Sequence, residues 1–103
     1  MSDRPSISDR PKIRHVVFFS SKDQADVTRI VEGLSILGNI PYSDFFEVRE
    51  NIRKDTLSGE VDVVVYAEFA SDEALSAYKA HPLYLEAINI VRPLRDLRIA
   101  ADF

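Results

Sequence analysis

Cysteine is absent from this sequence of 103 residues. Disulfide bonds and thiol catalysis are therefore excluded, and zinc loses its usual thiolate ligands. Glycine occurs only three times, at Gly33, Gly38 and Gly59. Because these glycines stand alone, the chain has no glycine-rich loop that could hold a phosphate, and it has no serine nucleophile elbow either.

A surplus of basic residues is also missing, since 13 Lys and Arg stand against 17 Asp and Glu and the net charge is −4. Nucleic acids and anionic membranes require a clustered basic patch, so we expect neither as a partner. The N-terminus is polar, and no apolar run approaches the length of a membrane span. We therefore expect a cytoplasmic protein.

The length fits one domain, and the apolar fraction of 46% allows one modest core. Residues 1–12 repeat the motif Ser-Asp-Arg-Pro and contain almost nothing apolar. Such a segment cannot bury enough surface to offset its ordering entropy. We expect a disordered N-terminal tail over 1–12, although a partner-binding arm is the alternative, and a folded domain over 13–103.

Four segments with alternating apolar residues predict β-strands, at 13–19, 42–50, 61–69 and 94–103. A helix is predicted between the first two, with Ser21 as N-cap, Gln24 completing a capping box and Gly38 as C-cap. A second helix begins after Ser71, breaks at His81 because Pro82 follows, and ends near Val91. Its restarted part is expected to turn Leu85 and Ile88 inward.

The order β-α-β-β-α-β predicts an α+β, ferredoxin-like fold: a four-stranded antiparallel sheet with the helices on one face. The other face should then be apolar and uncovered, which favours a homodimer that packs sheet on sheet. The residues expected on that face are Val16, Phe18, Phe46, Val48, Val64 and Tyr66.

The stretch Tyr78–Tyr84 contains two tyrosines and one of the two histidines of the chain. His15, on the helix-facing side of the first strand, could act as a general base, with Tyr78 orienting a carbonyl substrate. The alternatives are a satisfied core histidine and plain packing of Tyr78. Tyr84 could supply a second phenol. His81 is expected to cap the restarting helix.

Two other clusters are interpreted as ordinary surface. Asp44, Asp62 and Glu68 could hold a hard cation at a dimer seam, but scattered solvated acids are the preferred interpretation. Arg92, Arg95 and Arg98 are close in sequence, and a regular strand would turn Arg95 away from the other two. We expect solvated arginines rather than an anion site, no metal and no cofactor.

Three segments of the chain carry a family resemblance: the strand Ile13–Phe19, the segment Glu60–Phe69, and the pattern Ala-Leu-x-x-Tyr-x-x-His-Pro at residues 74–82. They resemble the stress-responsive A/B barrel (Dabb) domain family. The last is the most specific, and the resemblance covers residues 13–103. It implies a dimeric α+β barrel, in a family whose activities are mostly unassigned.

One plant member type of that family is a polyketide cyclase with a Tyr–His pair, and its tyrosine corresponds to Tyr78. Its first-strand histidine corresponds to His15. This chain has Tyr84 in place of the catalytic histidine, Val63 in place of a further pocket histidine, and approximately Gly33 in place of a pocket tyrosine. The resemblance therefore does not extend to that cyclase activity.

We therefore expect a homodimer that binds a small apolar or aromatic molecule. The residues expected at the ligand are His15, Val63, Tyr78, His81 and Tyr84. The alternative is a cofactor-independent enzyme, cyclase-like or monooxygenase-like, on a polyketide-like or phenolic substrate, with His15 and Tyr78 as its catalytic residues. A purely structural dimer with a filled helix–sheet interface is the third hypothesis.

Overall fold

The computed structural model describes residues 12–103, so the predicted tail lies outside it except for Lys12. The strands are β1 (Ile13–Ser21), β2 (Phe45–Glu50), β3 (Val63–Phe69) and β4 (Arg95–Asp102). The helices are α1 (Val27–Ser35), α2 (Asp72–Ala80) and α3 (Pro82–Val91). Short 3-10 turns at Gln24–Asp26 and Ile36–Asn39 flank α1.

The four strands form one antiparallel sheet in the order β2-β3-β1-β4, which confirms the predicted ferredoxin-like arrangement. The two central strands show a strict alternation of buried and more exposed positions over most of their length, because the helices cover one face only. Within residues 12–103 we find no helix with the length and apolar character needed to cross a membrane.

The core lies between the covered face of the sheet and the three helices. Its β3 part is Val63, Val65, Ala67 and Phe69, and α1 contributes an apolar stripe that includes Ile30 and Leu34. Burying side chains of this size stabilises the fold by roughly 1.5–3 kcal/mol each.

The start of the first helix differs from the prediction. Ser21 is the last residue of β1, and Asp23 is the N-cap, accepting a hydrogen bond from the backbone of Ala25 at 2.9 Å. Gln24 closes no capping box, because the backbone N–H of Ser21 donates to Asp62 at 2.7 Å, and the side-chain amide of Gln24 donates to the same carboxylate at 3.1 Å. The predicted C-cap, Gly38, lies within the second 3-10 turn and its φ is not positive.

The predicted break in the second helix is confirmed. Ser71 caps α2 by accepting a hydrogen bond from the backbone of Ala74 at 3.1 Å. His81 has an extended backbone with ψ 143°, and its Nδ1 atom accepts a hydrogen bond from the backbone of Leu83 at 3.1 Å. His81 therefore ends α2 and caps α3, which begins at Pro82.

The inward side of α3 was predicted incorrectly for one residue. Leu85 is 60% exposed, because one residue turns an α-helix by about 100° and so takes Leu85 off the side that carries Tyr84. The side of α3 that faces the core carries Tyr84, Ala87, Ile88 and Val91, at helical spacing.

The uncovered face of the sheet also differs at two positions. Phe46 and Val48 pair with Ala67 and Val65, so they lie on the helix side and pack against the core. The prediction failed because this strand has apolar residues on both sides, so its sequence does not show which side faces the core. The uncovered face carries these large exposed side chains: Phe18 (36% exposed), Phe45 (46%), Ile99 (53%) and Phe103 (64%).

Candidate functional site

A cavity lies between α1, α3 and the covered face of the sheet. The space open to the centres of water molecules is about 30 Å³, and all the empty space, including open solvent at the mouth, is about 380 Å³. The wall is largely aliphatic, and the polar groups that interrupt it are two phenols, one imidazole and two guanidinium groups. The lining residues are His15, Val17, Phe19, Leu34, Leu37, Val65, Tyr78, Tyr84, Ala87, Ile88, Val91, Arg95 and Arg98.

His15 reaches this cavity from β1 and is only 2% exposed. Its Nδ1 atom lies 2.5 Å from Oδ1 of Asp102, on the neighbouring strand β4. A carboxylate accepts this hydrogen bond from Nδ1, and in the neutral form of the imidazole Nε2 is then the acceptor nitrogen. This is the arrangement that orients a histidine for use as a general base.

Tyr78 comes from α2 and is fully buried. Its ring packs edge-on against Phe69 at 4.9 Å, Tyr84 at 5.4 Å and His15 at 6.3 Å between ring centroids. Within residues 12–103 its hydroxyl is the one buried side-chain polar atom without a hydrogen-bond partner. Burial raises the pKa of this phenol well above its ordinary value, and the nearby Tyr84 raises it further, although Arg98 opposes the shift. Tyr78 is therefore a hydrogen-bond donor and not a base.

The structure brings together three of the five residues predicted at the ligand. His15, Tyr78 and Tyr84 line the cavity. Val63 is fully buried in the core and His81 caps α3 with its ring 6.1 Å from that of Tyr42, so neither contributes to the cavity wall.

The sequence interpretation missed Asp102, because its contact with His15 joins two positions 87 residues apart. It was also wrong about the direction of Arg95. The β1–β4 pairing shifts between Phe19 and Ser21, so that β4 carries an extra residue there. This β-bulge turns Arg95 to the same side as Arg98, and both line the cavity.

Two of the three acids considered as cation ligands, Asp62 and Glu68, have other roles. Asp62 is buried rather than solvated, and it accepts hydrogen bonds from the backbone of Ser21 at 2.7 Å, from Gln24, and from Arg53. Burial by itself raises the pKa of Asp62, but these hydrogen bonds and the charge of Arg53 outweigh it and lower the pKa. Glu68 accepts a hydrogen bond from the hydroxyl of Tyr66 at 2.7 Å. In the part of the chain that the structure describes, no three such side chains are placed to hold a metal ion.

Comparison with solved structures agrees with this fold. A dimeric ferredoxin-like protein of unknown function from Thermobifida fusca superimposes with a TM-score of 0.75 and 26% identity, over 88% of each chain. A hydroxynitrile lyase from Passiflora edulis has a TM-score of 0.74 over 91% of this chain and 94% of the lyase. Its identity is 19%, so this likeness concerns the fold alone.

Sequence comparison gives the family. A curated relative, a stress-response A/B barrel domain-containing protein of Arabidopsis thaliana, is 28% identical over 94 residues. The match covers 88% of this chain and 36% of the relative, so this chain corresponds to only a part of that plant protein. The sequence pattern of the family described as "Stress responsive A/B Barrel Domain" matches residues 13–103. Since that match spans nearly the whole chain, the protein belongs to the stress-responsive A/B barrel domain family.

Proposed function

We propose that this protein is a homodimer in which each subunit binds a small apolar or aromatic molecule in the cavity between helices and sheet. The observation that carries the proposal is the buried hydroxyl of Tyr78, which faces the cavity wall without a partner. An unpaired buried hydroxyl costs about 1–3 kcal/mol, so a ligand that accepts its hydrogen bond would recover that free energy. The cytoplasmic location stays a prediction.

The cavity limits the size of the ligand. The 30 Å³ open to water centres has room for about two water molecules. Drug-sized ligands occupy pockets of about 300–1,000 Å³, and the whole space with its open mouth, about 380 Å³, lies at the lower end of that range. We therefore infer that a small polar end of the ligand enters beside Tyr78, while its body lies in the mouth near Tyr84 and Ile88.

A ligand screen followed by thermal unfolding tests this proposal. Ile88→Trp places a large ring in the cavity mouth and should abolish the rise in Tm that a bound aromatic compound causes. Leu85→Trp is the matched control, because Leu85 lies on the same helix and is 60% exposed. Equal Tm increases in both variants would show that the compounds bind elsewhere.

The second candidate is a cofactor-independent enzyme that removes a proton from a phenolic or polyketide-like substrate. The observation in its favour is the hydrogen bond from His15 to Asp102, which leaves Nε2 of a buried imidazole as an acceptor. Tyr78 would donate to the substrate carbonyl as negative charge develops on its oxygen. The hydroxynitrile lyase, at 19% identity, supports only the compatibility of this fold with enzymes.

His15→Ala kinetics separate the enzyme from the binding protein, once a compound that turns over is found. Loss of general base catalysis should reduce kcat by roughly a hundredfold or more. Unchanged turnover would eliminate His15 as the base, and binding without any turnover would favour the binding protein.

The dimer proposal rests on the uncovered face of the sheet. Exposed Phe18, Phe45 and Ile99 form an apolar surface there, and proteins with this fold that have been solved are described as dimeric. Phe18→Lys should therefore give a monomer in sedimentation at micromolar concentration. Leu57→Lys is the control, since Leu57 lies in a loop and is 92% exposed. A monomeric wild-type protein would contradict the proposal.

A further inference from the structure

Arg95 and Arg98 meet at the cavity because of one specific irregularity in β4. The hydroxyl of Ser20 accepts a hydrogen bond from the backbone N–H of Leu97 at 2.8 Å, at the point where the pairing shifts. A bulge leaves an extra residue unpaired and re-aims the side chains that flank it. A regular strand would place only one of the two guanidinium groups at the cavity, whereas the bulged strand places both of them there.

Neither arginine has its charge balanced by the fold. In the described part of the chain, residues 12–103, no ion pair involves Arg95 or Arg98, and no acidic residue lines the cavity. Partial burial, followed by the charges of Arg98 and Arg92, lowers the pKa of Arg95. Arg95 is half-buried and Arg98 is exposed, and an anion between these like charges would relieve their repulsion.

The hydroxyl of Tyr78 is the second, independent feature of the same wall. It lies deep in the cavity, is fully buried and lacks a partner, whereas the arginines are at the open end. The cavity thus presents positive charge at its mouth and one neutral donor inside, separated by apolar side chains such as Leu34, Ala87 and Val91.

We propose that the cavity selects a small organic carboxylate, bound through its carboxylate at Arg95 and Arg98. Its apolar body lies along the aliphatic wall, and a carbonyl or hydroxyl oxygen at its far end accepts a hydrogen bond from Tyr78. This inference rests on the proposed binding function and adds the charge and shape of the ligand.

The planar guanidinium fork matches both a carboxylate and a phosphate, so the choice between the two groups depends on the rest of the site. Phosphate sites commonly add the backbone N–H groups of a helix N-terminus. The helix end nearest in sequence to Arg95 is the C-terminus of α3 at Val91, whose partial charge is negative. A single negative charge therefore suits this mouth better than two.

Titration calorimetry with matched probes tests the inference. We choose 4-hydroxybenzoate, its neutral isostere 4-hydroxybenzamide, and inorganic phosphate. The acid should bind at least tenfold more tightly than the amide and than phosphate. Arg95→Gln and Arg98→Gln should each weaken binding of the acid by roughly tenfold to a hundredfold, and should change binding of the amide less than about twofold.

Arg92→Gln is the matched control, because it removes the same charge nearby from a residue that does not line the cavity. It should weaken binding of the acid by less than about threefold. An equal effect of all three substitutions would show a long-range field instead of direct contact and would overturn the inference. Equal affinity for acid and amide would overturn it too, while leaving the binding function intact.

Wild-type protein gives a test that does not depend on the folding of any variant. Raising the salt concentration from about 50 to about 500 mM screens exposed charges, so the affinity for the acid should fall while that for the amide stays constant. If neither the acid nor the amide binds, the carboxylate inference is refuted. The broader ligand screen with Ile88→Trp would still decide the binding function. Phosphate binding as tight as that of the acid would contradict the choice of a carboxylate.

Discussion

His15 and Asp102 lie 87 positions apart in the sequence, yet Nδ1 of the first is 2.5 Å from Oδ1 of the second. The antiparallel pairing of β1 with β4 places them opposite each other. Asp102 is thereby a positioning residue that determines which nitrogen of His15 carries the proton.

Asp102→Asn should change the tautomer of His15. An amide can donate as well as accept, so it no longer requires a proton on Nδ1. Nitrogen NMR of the imidazole should show the Nδ1-protonated form in wild-type protein and loss of that preference in the variant. Asp96→Asn, on the same strand, is the control and should leave the spectrum of His15 unchanged. A wild-type spectrum with the proton on Nε2 would refute the assignment.

Tyr78→Phe should stabilise the ligand-free protein. The change removes a buried hydroxyl without a partner and keeps the aromatic contacts with Phe69 and Tyr84, so we expect a gain of about 1 kcal/mol in the free energy of unfolding. The same variant should bind ligands more weakly. Chemical denaturation measures the first effect, and Tyr42→Phe, at an exposed position, should show neither. Marked destabilisation would mean that the hydroxyl has a partner in solution.

Alkaline pH should destabilise the protein through the same phenol. The pKa of Tyr78 is raised in the folded state, so the folded protein holds this proton after the unfolded chain has released it. The contribution to stability is full below the ordinary value of 10.0 and declines as the pH rises above it. In Tyr78→Phe the decline of Tm above pH 10 should be smaller. Tyr66, whose pKa is raised by its hydrogen bond to Glu68, should account for part of what remains.

Acid pH should destabilise the protein through Asp62, whose pKa is lowered in the folded state. Its contribution is present above the ordinary value of 3.8 and is lost as the pH falls below it. Asp62→Asn should cost about 2 kcal/mol at neutral pH, because three donors lose a charged acceptor, and should flatten the acid limb of the stability curve. Glu60→Gln is the control at an exposed neighbouring position. An unchanged acid limb in Asp62→Asn would contradict this role.

Gly33→Ala should destabilise the contact between α1 and α3. A Cβ atom at Gly33 would lie 2.8 Å from Cγ2 of Ile90 and 3.0 Å from Cγ2 of Val91, so the helices must shift. We expect a cost of about 1–3 kcal/mol in the free energy of unfolding. Gly59→Ala meets no atom within 4 Å and should be neutral or slightly stabilising. Equal stability of both variants would show that the helix contact adapts freely.

The elements that local signals determine were predicted correctly. The alternation in β1 and β3, the Ser71 cap and the break at His81-Pro82 each depend on neighbouring residues, and each is present in the structure. The family pattern also led to His15 and Tyr78, which the fold brings to one cavity.

The features that the sequence did not reveal depend on long-range contacts. Asp62, 41 residues from Ser21, accepts the hydrogen bond of the Ser21 backbone N–H that a capping box would have directed to Gln24. The bulge opposite Ser20 interrupts the two-residue period, so the direction of Arg95 could not follow from the spacing of the arginines. The sides of Phe46 and Val48 depend on pairing with β3, and the sequence shows no preference there.

The most direct test of the central claim is an amide NMR titration of the wild-type protein with 4-hydroxybenzoate. The account predicts saturable shifts at cavity residues such as Val65, Tyr78 and Ala87, and none at Val64 and Phe18 on the opposite face of the sheet. Saturable shifts confined to the sheet face, or no shifts at millimolar ligand, would contradict it.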